Sequence, residues 1–301
     1  MPIIGHEAII ADLKDLNERG ILGHGYIFVG PAMVGKRTIA TALAHYLEKG
    51  VFEPARGIEA VDGNEAHHQE VLQDIKIIDI AFMKMLDADA SGDSIGIDAA
   101  REVKTFLWQK PNTSARRTLI IDNAELLTTE AQNALLKITE EPPASSLLIL
   151  ITSDVESILP TIVSRLLKIY FGVVAMEAIE KWLVSEEHLT KAKATALAKR
   201  SLGKPGIAWR ILHDGAFQKN LELAEAFLKI TPAARRDFIK KLIDPDDFSL
   251  RIFLDAVIMT LAWELPSNTS KLAFWHKILK LYEGVNNFSL NPRLQLEALM
   301  K

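Results

Sequence analysis

One stretch, Thr118 to Arg165, restricts the fold more than any other: TLIIDNAELLTTEAQNALLKITEEPPASSLLILITSDVESILPTIVSR. An apolar run suited to a strand ends at a carboxylate, Asp122. A short helical pattern follows and is stopped by Pro142 and Pro143, because proline lacks an N–H and clashes with the turn before it. A second apolar run ends in Thr152 and Ser153, and the stretch closes on Ser164 and Arg165. Upstream, Gly30-Pro-Ala-Met-Val-Gly35-Lys36-Arg37 follows the apolar run Tyr26–Val29 and opens another helical pattern. A glycine loop between strand and helix lets backbone N–H groups converge on phosphate oxygens at a helix N-terminus, with the lysine reaching the terminal phosphates. Together these pieces are the frame of a phosphate-binding NTPase.

The rest of the first half keeps the same rhythm. Tyr26–Val29, Ile75–Ile80, Thr118–Ile121, Leu147–Ile151 and Leu167–Tyr170 are nearly continuous apolar runs, as expected of strands covered on both faces. Helical patterns at Lys36–Leu47, Asp98–Trp108 and Thr129–Ile138 separate most of them. In the last, Ala131, Ala134, Leu135 and Ile138 fall on one helix face. The alternation predicts a mostly parallel, three-layer α/β sheet. After Gly172 the strand signals stop. Glu177–Val184, Leu189–Ser201, Ile207–His213, Asn220–Ile230, Pro232–Ile243, Leu250–Glu264 and Leu272–Tyr282 read as helices. Boundaries near Gly172 and Asp214 give an α/β domain over 1–172, a small helical domain over 173–213 and a larger helical domain over 214–301. Leu250–Glu264 is apolar on more than one face (Ile252, Phe253, Leu254, Val257, Ile258, Leu261), which places it in a core or at an interface.

Composition narrows the function classes. A net charge of −4 argues against wholesale nucleic-acid binding. The absence of cysteine excludes disulfides, thiol catalysis and thiolate metal sites. His67 and His68 are adjacent and lack thiolate neighbours, so they read as exposed polar residues, and no zinc or other metal is expected. No apolar run approaches the roughly 18 residues of a membrane span, and the N-terminus lacks a basic-then-apolar layout. A cytoplasmic protein is expected. The five tryptophans, Trp108, Trp182, Trp209, Trp263 and Trp275, lie mostly in apolar helices and are expected in the core.

The hydrolytic parts of the frame are altered. The phosphate-loop pattern ends in Ser or Thr, whose hydroxyl ligates magnesium. Here that position is Arg37, and Thr38 comes one residue late, about 100° further round the helix. After Asp122 an acid would polarise the attacking water. Position 123 is an amide, and Glu125 is two residues too late for the usual arrangement. A nucleotide site at Gly30, Gly35, Lys36, Arg37, Thr38 and Asp122 therefore competes with a relic loop, and Asp122 with a simple cap of the strand-to-helix turn. Two degraded parts argue for lost hydrolysis. Arg165 reads as a surface arginine paired with an acid, or as an arginine finger for a neighbour's phosphoryl group, since a guanidinium is always charged and forks onto phosphate oxygens.

Taken together, several motifs identify a resemblance. They are His24-Gly-Tyr-Ile-Phe-Val-Gly30-Pro31, Gly35-Lys36-Arg37-Thr38, Ile95-Gly-Ile-Asp98, Asn133-Ala-Leu-Leu-Lys137, Glu140-Glu-Pro-Pro143 and Ser164-Arg165. Over Pro2–Phe171 the chain resembles the delta-prime subunits of the bacterial DNA polymerase III clamp loader; beyond that the likeness is looser. The Ala-Leu-Leu-Lys-x-x-Glu-Glu-Pro-Pro run is nearly specific to clamp-loader proteins. Arg37 and Asn123 favour delta-prime over the hydrolysing gamma/tau subunit.

The resemblance implies a P-loop AAA+ module, a helical lid and an all-α C-terminal collar. It implies a non-hydrolysing stator that joins gamma/tau and delta subunits and serves the loading of a sliding clamp on primer-template DNA, without contact to membranes. Ser164 and Arg165 would complete the neighbour's ATP site, and Thr152 matches the family's polar sensor position. Lys204-Pro205-Gly206 lies where the lid approaches nucleotide. No cofactor is required, although the degenerate loop allows ATP. Two features depart from the family: the zinc-binding cysteines are missing from Gly50–Gln73, and Leu166 stands where the Ser-Arg-Cys motif has cysteine. The competing readings are an ATP-hydrolysing AAA+ motor subunit, which Arg37 and Asn123 disfavour, and a small-molecule P-loop kinase, which would need an acceptor-binding lid rather than a helical tail.

Overall fold

A computed structural model describes residues 2–54, 72–86, 94–231, 234–244, 248–264, 272–287 and 291–299. His67 and His68 lie outside the described residues. The chain divides into two compact units, Met1–Gly206 and Ile207–Lys301.

In the first unit, five strands form one parallel sheet: β1 (Gly25–Val29), β2 (Ile75–Ile78), β3 (Arg117–Ile121), β4 (Ser146–Thr152) and β5 (Leu167–Tyr170), in the order β2-β3-β4-β1-β5. The interior strands send alternate residues to opposite faces. Ile27, Val29, Leu119, Ile121, Leu148 and Leu150 join one core with Ala99 and Val103 of α4 (Ile97–Leu107) and Leu135 and Ile138 of α5 (Thr129–Glu140). Tyr26, Phe28, Ile120, Leu147, Ile149 and Ile151 join another with Leu13 of α1 (Glu7–Glu18) and Ile39 and Leu43 of α2 (Lys36–Lys49). Both faces are covered, which is why the strands read as continuous apolar runs rather than alternating ones.

Local chemistry sets the element ends. Thr128 caps α5 by accepting from the Ala131 N–H at 3.2 Å, and the helix stops at Glu140, just ahead of the two prolines. The unit also contains α3 (Ile80–Leu86), the single-turn α6 (Pro160–Val163), α7 (Met176–Ser185) and α8 (Lys191–Arg200). The latter two pack on each other, and α9 (Pro205–His213) runs across the division at Gly206.

The second unit holds α10 (Gly215–Lys229), α11 (Arg235–Ile243), α12 (Leu250–Glu264), α13 (Leu272–Asn287) and α14 (Pro292–Leu299). Asp214 caps α10 through the Phe217 N–H at 2.9 Å, so that helix starts at Gly215 rather than Asn220. Phe217, Leu221 and Phe227 of α10 meet Phe253, Leu254, Val257 and Leu261 of α12 in one core with Ile278, Leu296 and Leu299. The broad apolar surface of α12 is mostly used within this core, but Ile252 stays 53% exposed.

The structure differs from the sequence expectation in places. The expected strand Ile75–Ile80 ends at Ile78, because Asp79 accepts the Phe82 N–H at 2.9 Å and starts α3. Helices α3 and α6 are too short to show a 3.6-residue period, and α1 buries only Leu13 fully. Neither these nor α14 is evident from periodicity. Trp108 is 53% exposed, one position past Leu107, the last buried residue of α4; Trp182 is buried as expected. Among the described residues no helix is long and apolar enough to cross a membrane.

Asp74, buried just before β2, organises the loop into β3. Its carboxylate accepts from the backbone N–H groups of Asn112, Thr113 and Ser114 at 2.7 to 2.8 Å. Burial alone would raise its pKa, but these bonds and the Ser114 hydroxyl outweigh it and hold the pKa at about 2, against 3.8 for the free group. A lowered folded pKa means that the stabilisation, about 2 kcal/mol, is complete above pH 3.8 and is lost as pH falls toward about 2. Asp74→Asn should therefore lower stability at neutral pH by about that amount. It should also flatten the acid limb in denaturant titrations run from neutral pH downward. An unchanged acid limb would show that Asp74 does not carry it.

Candidate functional site

The parallel register brings four strand ends to one edge of the sheet. Ile78 pairs with Ile121, Ile121 with Leu150, and Val29 with Thr152. Asp79, Asp122, Ser153 and Gly30 each follow one of these strands, so they emerge side by side. Ligands of open α/β sheets bind at this carboxyl edge.

The loop between β1 and α2 is built for close approach. Gly30 has φ 155°, and its N–H donates to the Thr152 carbonyl at 3.2 Å; a Cβ there would run into the carbonyl oxygen of Phe171. Gly35, at φ 108°, precedes the first residue of α2. The Met33 carbonyl accepts the Gly206 N–H at 3.0 Å, which brings Lys204-Pro205-Gly206 against the loop. Lys36 is buried, and its Nζ donates to the Gly30 and Pro31 carbonyls at 2.5 and 2.7 Å. Burial lowers its pKa; Glu125 and Asp122 act in the opposite direction, and Lys204 adds to the lowering.

Arg37 occupies the position where the loop pattern has a hydroxyl. Its Nη1 donates to Asp79 Oδ2 at 2.8 Å and to Asp122 Oδ2 at 3.1 Å. Burial works against the guanidinium charge, but the two carboxylates outweigh it and raise the pKa above the ordinary value. Asp122 Oδ1 accepts the Asn123 N–H at 3.0 Å. Asn123 adopts a left-handed conformation, φ 55° and ψ 50°, and a 3-10 turn over Ala124–Leu126 follows. That turn carries Glu125 back toward the strand ends. Its Oε1 accepts from the Ser153 hydroxyl at 2.7 Å, while Oε2 is buried without a hydrogen-bond partner.

Gly35, Lys36, Arg37, Thr38, Asp122 and Thr152 share the wall of one cavity of about 310 Å³, with Glu125 and Ser153 beside them. Spacing alone sets Glu125 aside as misplaced, and nothing in the motifs singles out Asp79. An acid directly after a β-rich run is the available signal for Asp79. For Glu125 there is none, because its position depends on the backbone of Asn123. The Thr152 hydroxyl is committed locally: it donates to the Asp154 carbonyl at 2.8 Å and accepts the Asp154 N–H at 3.0 Å.

Ser164 and Arg165 belong to a different place. Neither lines the cavity. Ser164 ends α6, its hydroxyl donating to the Thr161 carbonyl at 3.0 Å. Arg165 Nη2 donates to Glu140 Oε1 at 2.8 Å, and Nη1 to the Thr161 carbonyl at 2.5 Å. Its side chain remains 35% exposed. An exposed pair of this kind contributes about 0–1 kcal/mol, so it orients the guanidinium more than it stabilises the fold. Upstream, buried Gln132 donates to the Leu127 and Ser157 carbonyls and accepts the Leu159 N–H at 2.7 Å, which anchors the chain entering α6.

A parallel sheet with a glycine loop after one strand and an acid after its neighbour's neighbour defines the P-loop NTPase class. Residues 5–175 match the family described as DNA polymerase III, delta subunit, and the chain belongs to this family of clamp-loader AAA+ proteins. The gamma/tau subunit of DNA polymerase III from Mycobacterium tuberculosis (strain H37Rv) is 32% identical over 163 residues, 54% of this chain and 27% of that protein. The delta' subunit from Escherichia coli (strain K12) is 30% identical over 141 residues, 47% of this chain and 42% of that protein. The chain thus matches less than half of the length of either relative. A crystal structure of a gamma subunit-related protein of DNA polymerase III from Thermotoga maritima superposes with a TM-score of 0.59, covering 96% of this chain and 97% of that one at 21% identity, a likeness of fold alone.

Gly30→Ala should cost more than about 2 kcal/mol, because it adds both a clash and a conformation that L side chains avoid. Thermal or urea unfolding of the variant checks this, and wild-type stability would mean that the loop can move away from Phe171.

Proposed function

We propose that this chain is a non-hydrolysing stator of a DNA polymerase III clamp loader. In this reading it assembles with gamma/tau and delta subunits in the cytoplasm, supports loading of the sliding clamp on primer-template DNA, and lends Arg165 to a neighbour's ATP site. The observation that carries the reading is the Arg37 ion pair with Asp79 and Asp122. A hydrolytic P-loop site needs a hydroxyl and a free carboxylate around its metal and an acid beside the attacking water. Here a guanidinium sits on the carboxylates, and an amide, Asn123, follows Asp122. Nucleotide is not required, although the cavity at Lys36 has room for phosphate groups.

The rest of the chain is assigned around that core: an AAA+ domain over 1–172, a helical lid over 173–213 and a collar over 214–301. Arg165 supports the finger role by its place at the end of α6, outside its own cavity, with its side chain partly exposed and aimed by Glu140. In that role the guanidinium would place two parallel N–H donors on the oxygens of a transferring phosphoryl group, where a fixed positive charge lowers the barrier. Ser164 would hold the turn from which it projects.

One observation favours the second reading, an ATP-hydrolysing motor subunit: Glu125 reaches the cavity and keeps a buried carboxylate oxygen without a partner. The two readings separate in the isolated chain. The stator has no ATPase above background. Turnover of about 1 s⁻¹ that disappears in Lys36→Ala would establish the motor.

Arg165→Ala should leave folding and assembly intact and lower the clamp- and DNA-stimulated ATPase of a complex reconstituted with gamma/tau and delta subunits. A finger accounts for roughly 10³–10⁵ in turnover at one site, so the total loss is smaller where other sites continue. Arg165→Lys should rescue poorly, because an ammonium lacks the planar fork. Equal rates for the three complexes at matched assembly would make Arg165 a structural surface residue.

A further inference from the structure

A P-loop fold implies magnesium, held by the loop hydroxyl and by the acid that follows the third strand of this sheet. The residues of this chain do not fit it. Arg37 replaces the hydroxyl, and a single nitrogen of its guanidinium reaches both acids at the strand ends. The remaining carboxylate oxygens are engaged as well: Asp79 Oδ1 by the Phe82 N–H and Asp122 Oδ1 by the Asn123 N–H. A divalent cation placed against these carboxylates would have to displace a guanidinium that is permanently charged or sit beside it against Coulomb repulsion. The loop lysine is also internally engaged, with Nζ on the Gly30 and Pro31 carbonyls.

We propose that Arg37 is the chain's own fixed replacement for the divalent cation. It ties the first turn of α2 to the ends of β2 and β3, so the phosphate loop keeps its built conformation without metal or nucleotide, and the two acids take up no magnesium. The chemistry is that of a cation holding two carboxylates together. A metal does this with exchangeable bonds and brings its charge only when bound. An arginine does it covalently attached, at every metal concentration. Two carboxylates near each other at the ends of adjacent strands repel, and without Arg37 only the positive N-terminal end of the loop helix and the more distant charge of Lys36 would offset that repulsion. Arg37 supplies a full charge and directed donors at the same point. The consequence is a loop whose order does not report nucleotide occupancy, unlike a site that is completed by its ligand. The inference uses the same cavity as the stator reading but does not depend on Arg165 or on any partner.

The test is hydrogen exchange of the backbone amides of residues 30–38 in the full chain, measured with chelator, with magnesium alone, and with magnesium plus ATP. In the wild type, exchange should be slow and equal in all three conditions. Arg37→Thr restores the loop pattern and frees the acids. Its loop should exchange roughly tenfold faster with chelator and slow again with magnesium plus ATP. Should Arg37→Thr fail to fold, Asp79→Asn removes one acid and keeps the arginine, and its loop should also exchange faster.

Manganese alone provides a second readout. By electron paramagnetic resonance it should remain free in the presence of the wild type. The proposal is overturned if magnesium plus ATP slows the wild-type loop relative to chelator. It is equally overturned if the substituted loop exchanges as slowly as the wild type, or if the wild type binds manganese that Asp122→Asn releases. ATPase of a reconstituted complex is a separate measurement. The stator reading can therefore fail while this one stands, and the reverse.

Discussion

The ladder between β1 and β4 is the constraint on which the site depends. It pairs Val29 with Thr152, and the next hydrogen bond, from the Gly30 N–H to the Thr152 carbonyl, carries the pairing one residue into the loop. Gly30 must then turn away under the Phe171 carbonyl, at a φ open to glycine. From there the chain has only a few residues before α2 starts at Lys36, so the helix N-terminus is delivered to the carboxyl edge of the sheet. The same ladder logic, extended through β3 to β2, sets Asp122 and Asp79 beside it. No loop has to search for these positions, because backbone pairing in a core closed on both faces fixes them.

Charge balance follows from that geometry. Three acids, Asp79, Asp122 and Glu125, and two cations, Lys36 and Arg37, converge where water is partly excluded. The protein satisfies most of this internally. Arg37 answers Asp79 and Asp122, and the loop carbonyls answer Lys36. Only Glu125 keeps an oxygen without a hydrogen-bond partner, and Coulomb attraction to Lys36 partly compensates it. Breaking one member of such a group leaves the others uncompensated, which costs more than forming the group contributes. The site is therefore held by its own charges.

The architecture is legible in the sequence because both-face burial makes continuous apolar runs and because the glycine loop and the two prolines are steric punctuation. The strands fall within a residue or two of their expected ends, and helices α2, α4 and α5 lie where periodicity puts them. What stays hidden depends on pairing or on single backbone angles. Asp79 is absorbed into an over-long strand, since Asp79-Ile80 continues an Ile-rich run, and only its role as a cap shows where the strand stops. Spacing places Glu125 as if the chain after Asp122 were regular. The left-handed Asn123 breaks that assumption and shifts what counts as adjacent. The apolar helix around Trp108 suggests a core position, but burial in α4 ends at Leu107, and one further step turns the indole outward. The partnership of Glu140 with Arg165 joins two motifs that are 25 residues apart and is not readable from either alone.

That partnership completes the physical contrast within the α/β unit. At the carboxyl edge, the groups that would engage phosphate are turned on one another. At Arg165, an always-charged guanidinium keeps part of its surface in solvent while Glu140 and the Thr161 carbonyl restrict where it points. Helix α5 connects the two: Gln132 on its buried side anchors the chain entering α6, and Glu140 at its end takes the guanidinium. An arginine that needed only solubility would require neither anchor, because exposed ion pairs contribute little and a free side chain retains its rotamer entropy. Restricting it is useful where a target must meet it in one orientation. An internally neutralised phosphate site and an oriented, partly exposed arginine outside it are the two charge arrangements on which the proposed action on a neighbour's nucleotide rests.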